Sequence, residues 1–180
     1  VAAADDDGDV LGCFVLDPRL EATSGPRRLQ FLGDSLREID RALHGRLLIA
    51  RGLPADVLPR VCTAVGAAAV HISADFSPFG VRRDRATADA LATVGAELVP
   101  TGSPYLVSPG RVTKDDGSPY KVFTPFFQQW GRTAWDPWPD ECDSAIADDA
   151  GAGVPPFPEP AAPLRSPPVS LFNFFLAARC

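Results

Sequence analysis

The stretch ADFSPFGVRRDR, residues 74–85, crowds two acids, two phenylalanines and three arginines around Pro78 and Gly80. Such a mixture suits recognition of a flat ligand with polar edges. Aromatic rings offer stacking faces, and guanidinium groups pair with anionic or carbonyl oxygens. It does not by itself suit bond-making chemistry, because no nucleophile with an adjacent base accompanies it. The competing reading is a helix start whose arginines are solvated, with Asp84 as an acid favoured near the helix N-terminus. Either way Arg82 and Arg85 are read as surface charges.

Other reactive residues are sparse. His44 and His71 are the two histidines, and His71 falls in the apolar run AAVHISAD, as a core or sheet-face residue does. Cys13, Cys62, Cys142 and Cys180 show no metal-ligand spacing and no C-x-x-C pair, so neither a zinc site nor a disulfide framework is expected. Cys13 and Cys62 read as buried thiols. There is no G-x-G-x-x-G after a strand, no Walker loop and no G-x-S-x-G elbow. Asp115/Asp116 and Asp148/Asp149 lie in polar stretches and read as solvated turns.

The elements that must position these residues follow from hydrophobic patterning. VLGCFVLD (10–17) is an apolar run of strand length. In residues 25–45, Leu29, Leu32, Leu36, Ile39 and Leu43 mark one helix face, opened by Pro26 and stopped by Gly45. RLLIARG (46–52) predicts a strand, residues 54–67 a helix containing Pro59, AAVHISAD a third strand, residues 81–96 a helix and ELVPTG (97–102) a fourth strand. Strands apolar throughout and joined by short helical crossovers pair in parallel. The expectation is a doubly wound, Rossmann-like α/β domain whose ligand lies beyond the carboxyl ends of its strands. LDP (16–18) and ADFSPFG (74–80) are two such ends.

From Pro100 onward the chain changes character. Fourteen of the nineteen prolines lie there, and Trp130, Trp135 and Trp138 fall within residues 115–141, where a short helix is predicted near Thr124–Trp130. Residues 148–168 are Pro/Ala/Gly-rich, as linkers are. The division read from this is an α/β domain over 1–141 and a linker with an unmatched tail over 142–180. At 180 residues and 46% hydrophobic content the chain sustains one real core. Its net charge of −6 argues against nonspecific nucleic-acid binding. No apolar run reaches bilayer length and no export signal is visible, so a cytoplasmic protein is expected.

GCFVLDP, GPRRLQFLGDSLREID, LLIARGLPADVLPRV, VHISADFSPFGVRRD, VGAELV, YLVSPGRV and GSPYKVFTPFFQQW follow one another from about Val10 to Trp138. Together they resemble the N-terminal α/β domain of the DNA photolyase/cryptochrome family. That resemblance implies a domain that holds a light-harvesting antenna chromophore, a deazaflavin or a folate. In the family a larger helical domain holds FAD, binds damaged DNA and repairs pyrimidine dimers by light-driven electron transfer. Carried onto this sequence, Phe14, Val15 and Leu16 line the pocket floor, Arg28 enters from the first long helix, and Asp75, Phe79 and Arg83 come from the strand-to-helix loop. Where the family often has an acid two residues after the aspartate, this chain has Ser77.

The resemblance carries further expectations. VAAADDDGDV matches the end of the family's first crossover helix, so the family's first, central strand has no counterpart here. A gap is then expected between the strands at 10–17 and 68–75, unless they pair directly or another chain fills it. The FAD domain has no counterpart either, and the exposed cluster LFNFFL (171–176) favours aggregation or partner binding. The expected function is that of an antenna domain inactive in repair on its own, able to dock onto a helical FAD domain. The alternatives are a stand-alone flavin-, pterin- or nucleotide-binding accessory module, or the non-functional product of a disrupted gene.

Overall fold

The computed structural model describes residues 10–135 and the backbone of residues 176–179. Trp138, Cys142, Cys180, the Pro/Ala-rich linker and most of LFNFFL fall outside the described residues. Strands and helices alternate: β1 (Val10–Leu16), α1 (Pro18–Thr23), α2 (Pro26–Ala42), β2 (Leu47–Arg51), α3 (Pro54–Val65), β3 (Ala69–Ile72), α4 (Pro78–Ala92), β4 (Glu97–Pro100), α5 (Phe123–Arg132) and β5 (Leu176–Arg179).

Local chemistry explains the boundaries. Pro26 opens α2 at its first turn, where a missing N–H costs nothing. Gly45 closes it at φ 78°, donating its N–H to the Asp40 carbonyl at 2.8 Å. The Asp40 carboxylate accepts the Leu47 N–H at 3.1 Å and so ties the helix end to β2. Two helices differ from the sequence expectation. α1 is a six-residue helix created by Asp17, whose side chain caps it, and by Pro18 at its first position. α4 begins at Pro78 rather than residue 81, because Ser77 Oγ accepts the Gly80 N–H at 3.0 Å and caps it there. Asp84 therefore lies in the second turn and is not a helix-start acid.

The core sits between the sheet and the packed pair α3 and α4. Leu11 and Cys13 of β1, Val70 and Ile72 of β3, Leu58 and Cys62 of α3 and Leu91 of α4 form one buried cluster. Burial pushes the Cys13 thiol up to about 12, with Cys62 adding to the effect, so Cys13 is a packing group and not a thiolate. On the opposite face of β1, Gly12 leaves room for the Leu43 side chain at the end of α2. Helices thus cover both faces of β1. Among the described residues no helix is long and apolar enough to cross a membrane.

The sheet order is β2-β1-β5-β3-β4. β1 runs parallel to β2, and β3 parallel to β4. β5 lies between the two pairs and is antiparallel to β1 and to β3. The sheet is therefore mixed, not wholly parallel as the apolar strands suggested. The gap expected between β1 and β3 exists as a place in the sheet. The chain's own residues 176–179 fill it, so β1 and β3 do not pair directly. An empty slot would leave two rows of backbone N–H and C=O groups unpaired in the middle of the sheet. An antiparallel strand satisfies them as well as a parallel one.

Leu91 is fully buried among these elements. Leu91→Ala is expected to lower unfolding stability by about 2–5 kcal/mol, measured as a lower midpoint in urea at unchanged slope.

Candidate functional site

The carboxyl ends of β1 and β3 lie on either side of β5, and from them the chain departs in opposite directions across the sheet, to β2 and to β4. This is a topological switch point, where open α/β sheets leave a crevice. Two loops wall it. One is Asp17–Leu20 after β1, and the other is Asp75–Gly80 after β3.

In the first loop Asp17 is buried. Its Oδ1 accepts the Arg19 backbone N–H at 2.9 Å and the Arg19 Nε–H at 3.0 Å, and its Oδ2 accepts from Arg19 Nη2 at 2.6 Å. The Arg19 side-chain bonds hold the Asp17 carboxyl below the ordinary carboxylate value, against the opposing effect of desolvation. The Arg19 guanidinium then lies 5.3 Å from the centre of the Phe79 ring, which joins the first loop to the second.

In the second loop Asp75 Oδ1 accepts the Ser77 N–H at 2.8 Å. The carboxylate packs directly on Gly80, where a Cβ would overlap it. Arg83 Nη2 stands 3.7 Å from Asp75 Oδ2 and 2.6 Å from Asp84 Oδ1. Arg83 is therefore clamped between two carboxylates, with only 10% of its side chain exposed. Burial raises the Asp84 carboxyl above its ordinary value, and pairing with Arg83 only partly offsets this.

Two adjoining hollows occupy the crevice. One, of about 100 Å³, is lined by Phe14, Val15, Leu58, Ile72 and Leu98, with Asp17, Arg83 and Asp84 at its edge. The other, of about 160 Å³, lies between Arg19, Phe79, Arg82, Ala86 and Arg83. They share Pro54, Arg83 and Thr87 and so form one bilobed cleft.

Of the residues expected to form a site, the structure brings Phe14, Val15, Phe79 and Arg83 to the cleft, with Asp75 holding Arg83 from behind. Leu16 precedes Asp17 on β1 but lines neither lobe. Arg28 lies exposed on the first turn of α2 and also lines neither. Arg82 and Arg85 are exposed, and Arg82 borders the second lobe. Sequence reasoning missed Asp17, Arg19 and Asp84. An acid directly between an apolar strand and a proline is a helix-cap signal, and that signal could have found Asp17. Asp84 carried no such signal, because its role arises from burial. Among the described residues no group of three His, Cys, Asp or Glu side chains is placed to hold a metal.

The family model described as DNA photolyase matches residues 1–143. This chain belongs to the DNA photolyase family. The deoxyribodipyrimidine photo-lyase of Streptomyces griseus is 38% identical over 136 residues, covering 72% of this chain and 30% of its own length. The bacterial class III photolyase structure from Agrobacterium tumefaciens superposes with a TM-score of 0.67 at 24% identity, over 86% of this chain and 32% of that one. An archaeal photolyase from Sulfolobus tokodaii, solved with two FAD molecules, gives a TM-score of 0.62 at 22% identity, over 82% of this chain and 33% of that one. The chain thus spans about a third of each of these photolyases, and the photolyase chain's α/β region is the part it matches.

Two substitutions test the geometry. Gly80→Ala forces the Asp75 carboxyl aside and is expected to destabilise by about 1–3 kcal/mol, seen as a lower thermal midpoint. Asp84→Asn is expected to raise stability at pH 7. The folded pKa of Asp84 lies above its unfolded value of 3.8, so its charge costs stability in full above the folded value. The gain over wild type shrinks as pH falls from the folded value toward 3.8. Denaturation midpoints across pH 3–8 measure it, and a gain that grows toward acid pH contradicts it.

Proposed function

We propose that this chain is the antenna-chromophore domain of a photolyase-type protein. A planar heterocycle of the deazaflavin, flavin or folate class lies in the cleft between the β1–α1 and β3–α4 loops. The observation that carries this reading is the make-up of the cleft, an apolar floor with fixed polar edges at a switch point, in a chain of this family.

The residues present fit such a group in kind. Phe14 and Val15 give it a floor and Phe79 a wall, and Arg83, held in place by Asp75 and Asp84, presents a donor to a ring-edge oxygen or nitrogen. The fit in size is shallower. Pockets that enclose a drug-sized ligand run to about 300–1,000 Å³, and neither lobe approaches that, so a three-ring system rests partly uncovered. Charge narrows the choice further. Asp17, Asp75 and Asp84 are matched by Arg19, Arg82 and Arg83, so the cleft favours an uncharged ring with polar edges over a strongly anionic tail. Arg28 acts, in this reading, only on a tail that leaves the cleft across α2. The bound chromophore supplies absorption of light, whose energy passes to an FAD held elsewhere. Binding of damaged DNA and dimer repair are assigned to the portion of photolyase length that this chain does not span.

A second observation favours docking to a helical FAD-binding portion. α5 buries none of its residues, and Phe123, Phe127, Trp130 and Trp135 form a continuous aromatic row with centroid spacings of 5.6, 6.0 and 6.4 Å. Phe123 is 72% exposed and Trp135 56%. A row of that size is the kind of surface an interface covers.

The test is an absorption and fluorescence titration of the purified chain with FMN, a deazaflavin and a reduced folate, alongside Ala86→Trp. Ala86 is exposed on α4 and borders the second lobe, so a Trp there fills the cleft without disturbing the core. A red-shifted spectrum with one ligand, weakened about tenfold or more by Ala86→Trp, is expected. A cooperatively folded protein that shifts the spectrum of none of the three overturns the reading.

A further inference from the structure

Four polar side chains border the first lobe of the cleft, those of Asp17, Arg83, Asp84 and Thr87. Their hydrogen-bonding capacity is unequally used. Both carboxylate oxygens of Asp17 accept from Arg19, Oδ1 at 2.9 and 3.0 Å and Oδ2 at 2.6 Å. Thr87 Oγ1 donates to the Arg83 carbonyl at 2.9 Å. Asp84 differs. Arg83 Nε and Nη2 both approach its Oδ1, at 2.7 and 2.6 Å. Among the described residues no hydrogen bond reaches Asp84 Oδ2. The side chain is nonetheless only 20% exposed. An acceptor turned away from water without a donor is costly, and such groups are few in folded proteins.

The surroundings say what kind of donor suits it. Phe14, Val15, Leu58, Ile72 and Leu98 make the rest of the lobe apolar, so the group that enters is a ring and not a hydrated ion. At about 100 Å³ the lobe takes one end of a fused ring system. Oδ2 requires an N–H on that end. The Arg83 guanidinium beside it places positive charge next to the N–H, which favours a carbonyl oxygen there.

We propose that Asp84 is a specificity-determining residue of the cleft, its Oδ2 accepting the N–H of a cyclic –NH–C(=O)– edge. The pyrimidine end of a flavin, deazaflavin or pterin carries such an edge. In the chromophore reading, on which this rests, the pyrimidine end enters the first lobe and the remaining rings point outward. A ring whose edge nitrogen carries an alkyl group in place of hydrogen leaves Oδ2 unsatisfied, and it is rejected for that reason. The placement also accounts for a buried carboxylate whose charge lowers the stability of the free chain.

The experiment is a fluorescence titration of the full chain, wild type and Asp84→Asn, with lumiflavin and with its N3-methyl derivative. Lumiflavin has the flavin ring without a charged tail, and the methyl group removes the N–H. Wild type should bind lumiflavin about tenfold or more tightly than the methylated ring. In Asp84→Asn the single amide oxygen stays on Arg83 and the NH2 group faces the ring, so the preference should fall to about twofold or less. That variant is expected to be at least as stable as wild type, so loss of fold does not imitate the effect. Equal affinity of wild type for the two rings overturns the role of Asp84 and leaves the chromophore reading in place. A preference undiminished in Asp84→Asn overturns it too, because shape alone then excludes the methyl. Binding of neither ring also overturns it, and the chromophore reading falls with it only where the deazaflavin and the folate fail as well.

Discussion

The structure depends on the ladder that holds β1 beside β3. Each is firmly paired on its outer side, β1 to β2 and β3 to β4, and each is unpaired on its inner side without β5. Four residues of backbone therefore join two halves of a sheet. The buried cluster spans that seam, because Leu11 and Cys13 lie on one side and Val70 and Ile72 on the other. Hydrophobic burial pulls the halves together, while the ladder decides their spacing and removes the cost of unpaired amides.

The cleft inherits its form from this seam and its rigidity from local chemistry. Each loop is closed on itself by an aspartate that accepts a backbone N–H two residues on, Asp17 from Arg19 and Asp75 from Ser77. Each aspartate also engages an arginine, so the polar edge is held by the protein's own contacts. Gly80 makes this possible in the second loop by letting the Asp75 carboxyl lie against the backbone of α4. The charges around the cleft are closely matched, Asp17, Asp75 and Asp84 standing beside Arg19, Arg82 and Arg83.

Much of this was legible in the sequence, where the signal was periodic or local. The spacing of Leu29, Leu32, Leu36, Ile39 and Leu43 located α2, and uninterrupted apolar runs located β1 to β4. α1 escaped because six residues are too few to show a period, although Asp17-Pro18 announced it. β5 escaped because LAAR has no strand signature of its own, and its pairing comes from the groove it fills. Phe79 and Arg83 at the cleft, and Asp75 behind Arg83, had been singled out by the loop motif and its family likeness. Arg28 was placed by likeness alone and lies on an exposed helix turn away from both lobes. The roles of Asp17 and Asp84 depend on desolvation by elements distant in sequence, which no local pattern encodes.

The position of β5 has a kinetic consequence. Val10 pairs with Arg179 across roughly 170 positions of chain, a separation at the extreme of what a domain this size allows and one that slows folding. The helices and the outer strand pairs join near neighbours, whereas the seam joins the two ends of the described chain, so its closure carries most of the loop-closure entropy of the sheet.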